Sequence, residues 1–554
     1  MRKLTIIAVL VPVLAFTSCQ GWLMETPAGT QTLDEYYVGG QSCEQVVVGC
    51  YAPMQLQYRD GIYFDEWIFG DICSDDAYKG GQTVTEDSNM YDFETLRTNA
   101  DNDILLQFYR IQYVGIARCN RAIQDIAKQP VDEYMDELLR ARFVAEAKCL
   151  RAFYYMRLVR IFGRIPYYTE VIEGTSQMNK QRADLATIWS GIITDLKDAA
   201  IFLWPKSQYP ETQAGHVTQG TAQALLVKAF MTGHEVLDAL MIDGRTSYQN
   251  AVYWGQQIVS GGEYELCPVY WDNFTLKGEN GIESVFEIQY TDDATSDYGA
   301  GGHRGAFTVR QQRCRSSKFT DGNPGWGYNR PTQDLIDEFE DGDPRLAVSF
   351  HYLQDGEYDN QQVDLYGGIV RWLSLKYAMM TDGEDGGVFP LDASNNPHDP
   401  INTKEIRYAD VLLMYAEACV ETGDTRTAKD LLEMVRSRAR GGNPDVLPEF
   451  PGYEIRVWNG SGYDAPRQLV DNADDLRTAI RHERRVELAM EGHRWFDLNR
   501  WGIAAEVINA QNRSEEAQTL YAGQIQSFRK GVNEIFPIPA EERRLTGIDQ
   551  NEGY

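Results

Sequence analysis

Apolar side chains recur every three or four residues along most of this chain, and the exceptions are grouped. Between 137 and 162, Phe143, Ala147, Leu150, Tyr154, Leu158 and Ile161 fall at spacings of four and three, one face of an α-helix. Gly163 and Pro166 stop it. The same periodicity predicts helices over 104–128, 183–203, 218–240 and 247–259, the last closing at Gly261-Gly262. The clearest unit is 406–439. Val411, Leu412, Tyr415, Ala416 and Cys419 form one stripe, Gly423-Asp424 make a turn, and Ala428, Leu431, Leu432, Val435 and Ala439 form a second stripe. A helix–turn–helix of roughly 34 residues with small residues at close-packing points has the period of a tetratricopeptide repeat. One such pair leaves an apolar face uncovered, so several must stack.

Between 262 and 405 the pattern changes. Ser284-Val285-Phe286-Glu287-Ile288-Gln289-Tyr290 alternates and reads as a strand. Glycine- and aspartate-rich loops surround it at 291–306, 320–330 and 381–400, and further loop-rich stretches cover 58–100 and 441–470. Loops this long within a folded unit are usually functional. The expectation is a mainly α fold: a scaffold of helix pairs with a loop-rich half and a few short strands.

Composition narrows the function. The chain has 554 residues, enough for a large core without disulfide staples. Its net charge of −30 argues against binding nucleic acid or an anionic bilayer through its overall field. The 32 tyrosines and 11 tryptophans supply amphipathic rings that serve recognition as well as cores.

The N-terminus reads as an address. Arg2 and Lys3 precede the apolar run Leu4–Phe16, too short to span a bilayer, and Thr17-Ser18-Cys19 follow. Residues 1–18 are thus a signal peptide. A cysteine at that point resembles a bacterial lipobox, with Cys19 acylated and anchoring the mature chain; ordinary secretory cleavage with a plain thiol is the other reading. Eight further cysteines enter a compartment where disulfides are allowed but not implied. Cys43 and Cys50, on one helix, would lie too far apart to bridge, and there is no C-x-x-C to suggest zinc or redox chemistry.

Residues 476–502 read LRTAIRHERRVELAMEGHRWFDLNRWG. On a helix, Glu491, Arg494, Asp497 and Arg500 fall at successive i, i+3 steps of alternating sign, and Arg484, Arg485 and Glu487 add to them. Two readings stand: an ion-pair network that clamps helices together, or an active site with His482 or His493 as base.

This segment resembles the C-terminal signature of the SusD/RagB family of surface glycan-binding lipoproteins of Bacteroidetes. Four other segments are similar to the family, in order along the chain: FVAEAKCLRAFYYMRLVRIFGRIPYY at 143–168, DLIDEFEDGDPRL at 334–346, IRYADVLLMYAEA at 406–418 and FPIPAEE from 536. The resemblance implies one SusD-like domain over 19–554: helical pairs over 19–260, a loop-rich middle over 261–405, and helical pairs with the signature over 406–554. About four tetratricopeptide-type pairs are expected. It implies a lipid-anchored outer-membrane protein facing outward and capping a SusC-like TonB-dependent transporter as a lid. The lid would deliver an oligosaccharide without a cofactor, a metal or catalysis of its own.

Sugar rings stack C–H faces on aromatic planes, so loop aromatics on a rigid scaffold are the candidate contacts. These are Tyr78 and Tyr91 in the first loop region, and Tyr298, Trp326 and Tyr328 in the middle one. Each is also an ordinary loop-packing residue by type, and Trp271 is read as structural. From Tyr298 through Thr320 there is no acid, yet Arg304, Arg310, Arg313, Arg315 and Lys318 are present. Arg304 and Arg313 could fork onto the carboxylates of an acidic glycan; intramolecular pairing or a transporter contact are the alternatives. Zinc-protease, nucleophile-elbow and dinucleotide motifs are absent, and the acidic run 381–387 lacks EF-hand spacing. A glycan-cleaving enzyme on a helical scaffold and a peptide-binding repeat protein remain as alternative functions.

Overall fold

Most of the helices begin where a polar side chain can take up the orphaned N–H groups of a first turn. The computed structural model describes residues 39–554 apart from 84–85, 175–176, 179, 293–303, 317–319, 321–323, 355–356, 358–369, 378–398, 457–466 and 522. The expected signal peptide over 1–18 and Cys19 therefore lie outside the described residues, as do Tyr298, Lys318 and the acidic run 381–387. Helix α1 spans Gly40–Tyr51. Asn102 caps α2 (Asp103–Ile126), Asp136 caps α3 (Glu137–Phe162) and Asp184 caps α4 (Leu185–Phe202). Thr218 and Thr246 form capping boxes on α5 (Gln219–Thr232) and α6 (Ser247–Gly261). Strand β8 (Thr403–Arg407) runs straight into α7 (Tyr408–Glu421), and Asp424 caps α8 (Thr425–Arg440).

Helices α2 to α8 stack in chain order, each against the next. The predicted stripes form the shared core: Leu150, Tyr154, Leu158, Val411, Leu412, Ala416, Leu432 and Val435 are all fully enclosed. Helix α3 is buried on nearly every face rather than along one stripe, because α1, α2 and α4 all pack on it. Two boundaries differ from the sequence reading. The helix expected over 218–240 breaks after Thr232, where the Trp189 ring packs against Gly233. Residues 406–407 belong to β8, not to the helix that follows.

The loop-rich half holds small antiparallel sheets of two strands. The predicted strand is β4 (Ser284–Ile288), paired with β8. Strands β1 (Tyr58–Arg59) and β2 (Ile62–Tyr63) form a hairpin. Strand β3 (Ala77–Gly80) pairs with β5 (Tyr328–Pro331), and β6 (Phe350–Tyr352) with β7 (Trp372–Ser374). None of the eight described cysteines is in a disulfide. Among the described residues no helix is long and apolar enough to cross a membrane.

Candidate functional site

The first loop region doubles back as a tight hairpin. Tyr58 opposes Tyr63 and Arg59 opposes Ile62, with Asp60 (φ 53°) and Gly61 (φ 87°) as the turn. Positive φ at both central positions is what a two-residue turn of matching twist requires, and Asp-Gly supplies it. The cross-strand pair sets the Tyr58 and Tyr63 ring centroids 4.8 Å apart. Trp326, from the middle region, stands edge-on to Tyr63 at 5.0 Å. Phe307 closes the group from its buried side, 5.8 Å from Tyr58 and 5.2 Å from Tyr63. Both tyrosines and Trp326 are half-buried, and Arg59 and Asp60 are exposed at the hairpin tip.

Hydrogen bonds make this surface rigid. The Gln57 carboxamide donates from Nε2 to Asp65 Oδ2 (2.7 Å) and Thr308 Oγ1 (2.9 Å), and its Oε1 accepts from the Phe307 N–H (2.7 Å). Burial pushes the Asp65 carboxyl up to about 6, against the pull of Arg157. Trp326 N–H donates to Arg310 O, and Trp326 O accepts from Arg315 Nε, each at 2.8 Å. A side-chain carbon at Gly325 would sit 2.5 Å from the carbonyl oxygens of Arg310 and Arg313, so only glycine lets these backbones meet. Arg315 is pinned in turn to Glu86 Oε1 at 2.7 Å.

The structure separates the other candidates from this group. Tyr78 and Tyr328 belong to the buried sheet of β3 and β5. Gln511 Nε2 donates to Tyr78 Oη at 2.8 Å, and the Lys79 ammonium lies 5.4 Å over the Tyr328 ring, so both rings serve as core. Tyr91 is half-buried in a second cluster, 6.1 Å from Tyr521. Arg313 is fully enclosed, and burial holds its guanidinium down near 10 despite Asp399. Arg304 is exposed. Trp271 packs tilted against Phe274. Tyr58 and Tyr63 were missing from the sequence-based candidates, although Asp-Gly between two short apolar runs is a strong hairpin signal.

The charged signature forms a network, with one change of geometry. Helix α9 spans Ala473–Glu487 and α10 spans Arg494–Arg500; between them the chain turns at Met490 (φ 61°) and Gly492 (φ 76°). Glu491 thus leaves the helix expected to carry it and points to Arg407 Nε (2.7 Å) and Lys376 Nζ (2.8 Å). Glu487 meets Arg407, Arg345 and Arg438 at 2.9, 3.0 and 2.5 Å. Arg484 pairs with Asp497 and Asp410, Arg500 with Glu417, and Arg494 with Asp75. Burial would raise the Glu487 carboxyl, but Arg438, Arg407 and Arg345 together hold it at about 2. Burial also opposes the His482 charge, yet Glu338 and Glu340 outweigh it and push that imidazole up to about 10. Burial and Lys228 hold His493 down near 4. The ligating atoms of Glu340, His482 and Glu483 converge, but Arg436 already pairs with both carboxylates and Arg345 with Glu483.

Two family models match the chain: the SusD family over residues 377–554, and a family described as starch-binding and associating with the outer membrane over 63–231. SusD-like protein P2 of Formosa agariphila is 24% identical over all of this chain and 99% of its own length. A solved structure titled a laminarin binding SusD-like protein is 28% identical, with a TM-score of 0.73 over 94% of this chain and all of that one. Surface glycan-binding protein A from Bacteroides thetaiotaomicron, solved with laminarihexaose, shares the fold at 21% identity, with a TM-score of 0.72 over 93% of this chain and all of that one. The C-terminal third of the chain thus matches the SusD family model, and SusD-like proteins align with the chain over nearly its whole length.

Proposed function

We propose that this protein captures an oligosaccharide on the surface formed by Tyr58, Tyr63 and Trp326 and passes it to a SusC-like TonB-dependent transporter as that channel's lid. An acyl chain on Cys19 holds it on the outer membrane, facing outward. The observation that carries the reading is the convergence of two separate loop regions on one rigid, half-buried aromatic group. Three fixed rings offer planes to sugar C–H faces at little entropic cost, and the exposed Arg59 and Asp60 offer polar partners to hydroxyls.

The basic island gives less support to an acidic ligand. Arg313 is enclosed and Arg315 is paired with Glu86, leaving Arg304 as the exposed arginine among the described residues there. The laminarin-binding neighbour makes a neutral β-glucan the first ligand to test. Native gels cast with laminarin, with neutral and uronate-bearing polysaccharides beside them, should retard the wild-type protein. Trp326→Ala and Tyr63→Ala should each weaken binding about 5- to 30-fold, the equivalent of about 1–2 kcal/mol per stacked ring. No new reducing ends should form during incubation. Retardation that both variants keep in full would move the site elsewhere. Co-purification of a TonB-dependent transporter with this protein from outer membranes, lost on Cys19→Ala, tests the lid and the anchor.

A further inference from the structure

A second aromatic pair stands on other elements of the loop-rich half. Tyr352 on β6 directly opposes Trp372 on β7, with ring centroids 5.0 Å apart and planes at 68°. The ladder is anchored inward. Phe350 is buried against Phe339, and Leu373 packs with Leu353 and Cys314. At its outer end Tyr352 keeps 37% of its surface, and Trp372 is half-buried. The indole is oriented by its own donor, Nε1–H to Gln333 Oε1 at 3.0 Å. The Arg371 guanidinium lies 5.2 Å over the Tyr352 ring, and Gln354 donates from Nε2 to Tyr352 O at 3.2 Å.

These features select among ligand classes. Two partly exposed rings stand at the end of a ladder, one of them beneath a guanidinium, and their polar neighbours include two carboxamides. That suits pyranose rings, with C–H faces for the aromatics and hydroxyls for Gln333, Gln354 and Arg371. It does not suit a protein groove, which needs contiguous apolar area. A polyanion is opposed by a chain of net charge −30.

We propose that Tyr352 and Trp372 form a second saccharide contact, which holds another stretch of a long glycan bound at the Tyr58–Tyr63–Trp326 surface. The inference rests on the glycan-binding reading and deepens it. A second contact on one chain acts through effective concentration, so it strengthens binding of polymers and leaves short oligomers unchanged.

The test compares laminarin polymer with laminaritriose on the full soluble chain, by affinity gel and calorimetry. Trp372→Ala and Tyr352→Ala should each weaken polymer binding by about tenfold while triose affinity stays within twofold. Tyr352 is exposed, so Tyr352→Ala keeps the question open to refutation even if Trp372→Ala unfolds. Trp326→Ala should weaken both ligands. Polymer affinity equal to wild type in Tyr352→Ala overturns the proposal. So does an equal loss of polymer and triose, which would place Tyr352 in the first site. A wild-type protein that no glucan retards overturns the glycan reading itself, and this inference with it.

Discussion

Glu487 shows how much one buried carboxylate can hold. Three guanidinium groups converge on it, and all four side chains are essentially closed to water. Removing one partner of such a pair costs about 3–5 kcal/mol, because the remaining charges stay buried without compensation. Glu487→Gln should lower the melting temperature markedly at pH 7. The carboxyl is held below its ordinary value, so its contribution is complete above about pH 4.5 and fades as pH falls through about 2. The gap between wild type and variant should therefore narrow on acidification, in melts run from pH 7 to pH 3. A gap independent of pH would refute the ion-pair account. The arginines of 304–315 teach the complementary lesson. They form an acid-free island in sequence, yet Glu86, 229 positions away from Arg315, supplies its partner.

The β1–β2 hairpin and the 325–327 segment decide the candidate site at the scale of elements. The hairpin carries a local signal, Asp60-Gly61 between Tyr58-Arg59 and Ile62-Tyr63, although the sequence reading gave 58–100 only as a loop-rich stretch. Its partner segment carries no such signal, because only the close approach of Gly325 to the carbonyls of Arg310 and Arg313 aims Trp326 at Tyr63. Gly325→Ala forces those backbones apart and should weaken glycan binding as much as Trp326→Ala does. Its melting temperature should fall only a few degrees, because few core side chains depend on that loop. Full binding in Gly325→Ala would show that the loop does not position the ring. The helices were far easier to read. Their hydrogen bonds are local, their caps are written within three residues, and their stripes repeat. What was missed follows from tertiary packing: the break at Gly233 and the turn at Met490 to Gly492.

Over the whole molecule, the C-terminal signature binds distant thirds of the chain together. Arg494 holds Asp75 and Arg485 holds Asp76, both from the first loop region. Arg345 and Arg407 bring the middle and β8 onto α9, and Arg484 and Arg500 reach α7. Asn551 closes the structure by donating to Phe162 O and Phe536 O at 2.9 and 2.7 Å. Parts joined through buried charge should not unfold separately, so calorimetry should show one transition for the soluble chain. Arg494→Ala leaves Asp75 buried beside Arg485 alone, and should lower that transition by about 3–5 kcal/mol without splitting it. Two resolved peaks in the wild type would show that the network does not couple the halves.

Local rules alone specify much of this protein. Apolar period, capping residues and glycine stops determine the stacked helices, and the ordered motifs carry the resemblance to SusD-like proteins. Burial in the loop-rich half is decided otherwise. Tyr78 and Tyr328 have the same chemistry as Tyr58 and Tyr63, but β3 from the first loop region pairs with β5 from the middle one, and both rings are buried there. A helix carries its partners within four residues of sequence, whereas the solvent exposure of a loop aromatic depends on which remote strand lies across it. That is why the scaffold could be read from the chain and the binding surface had to be read from the fold.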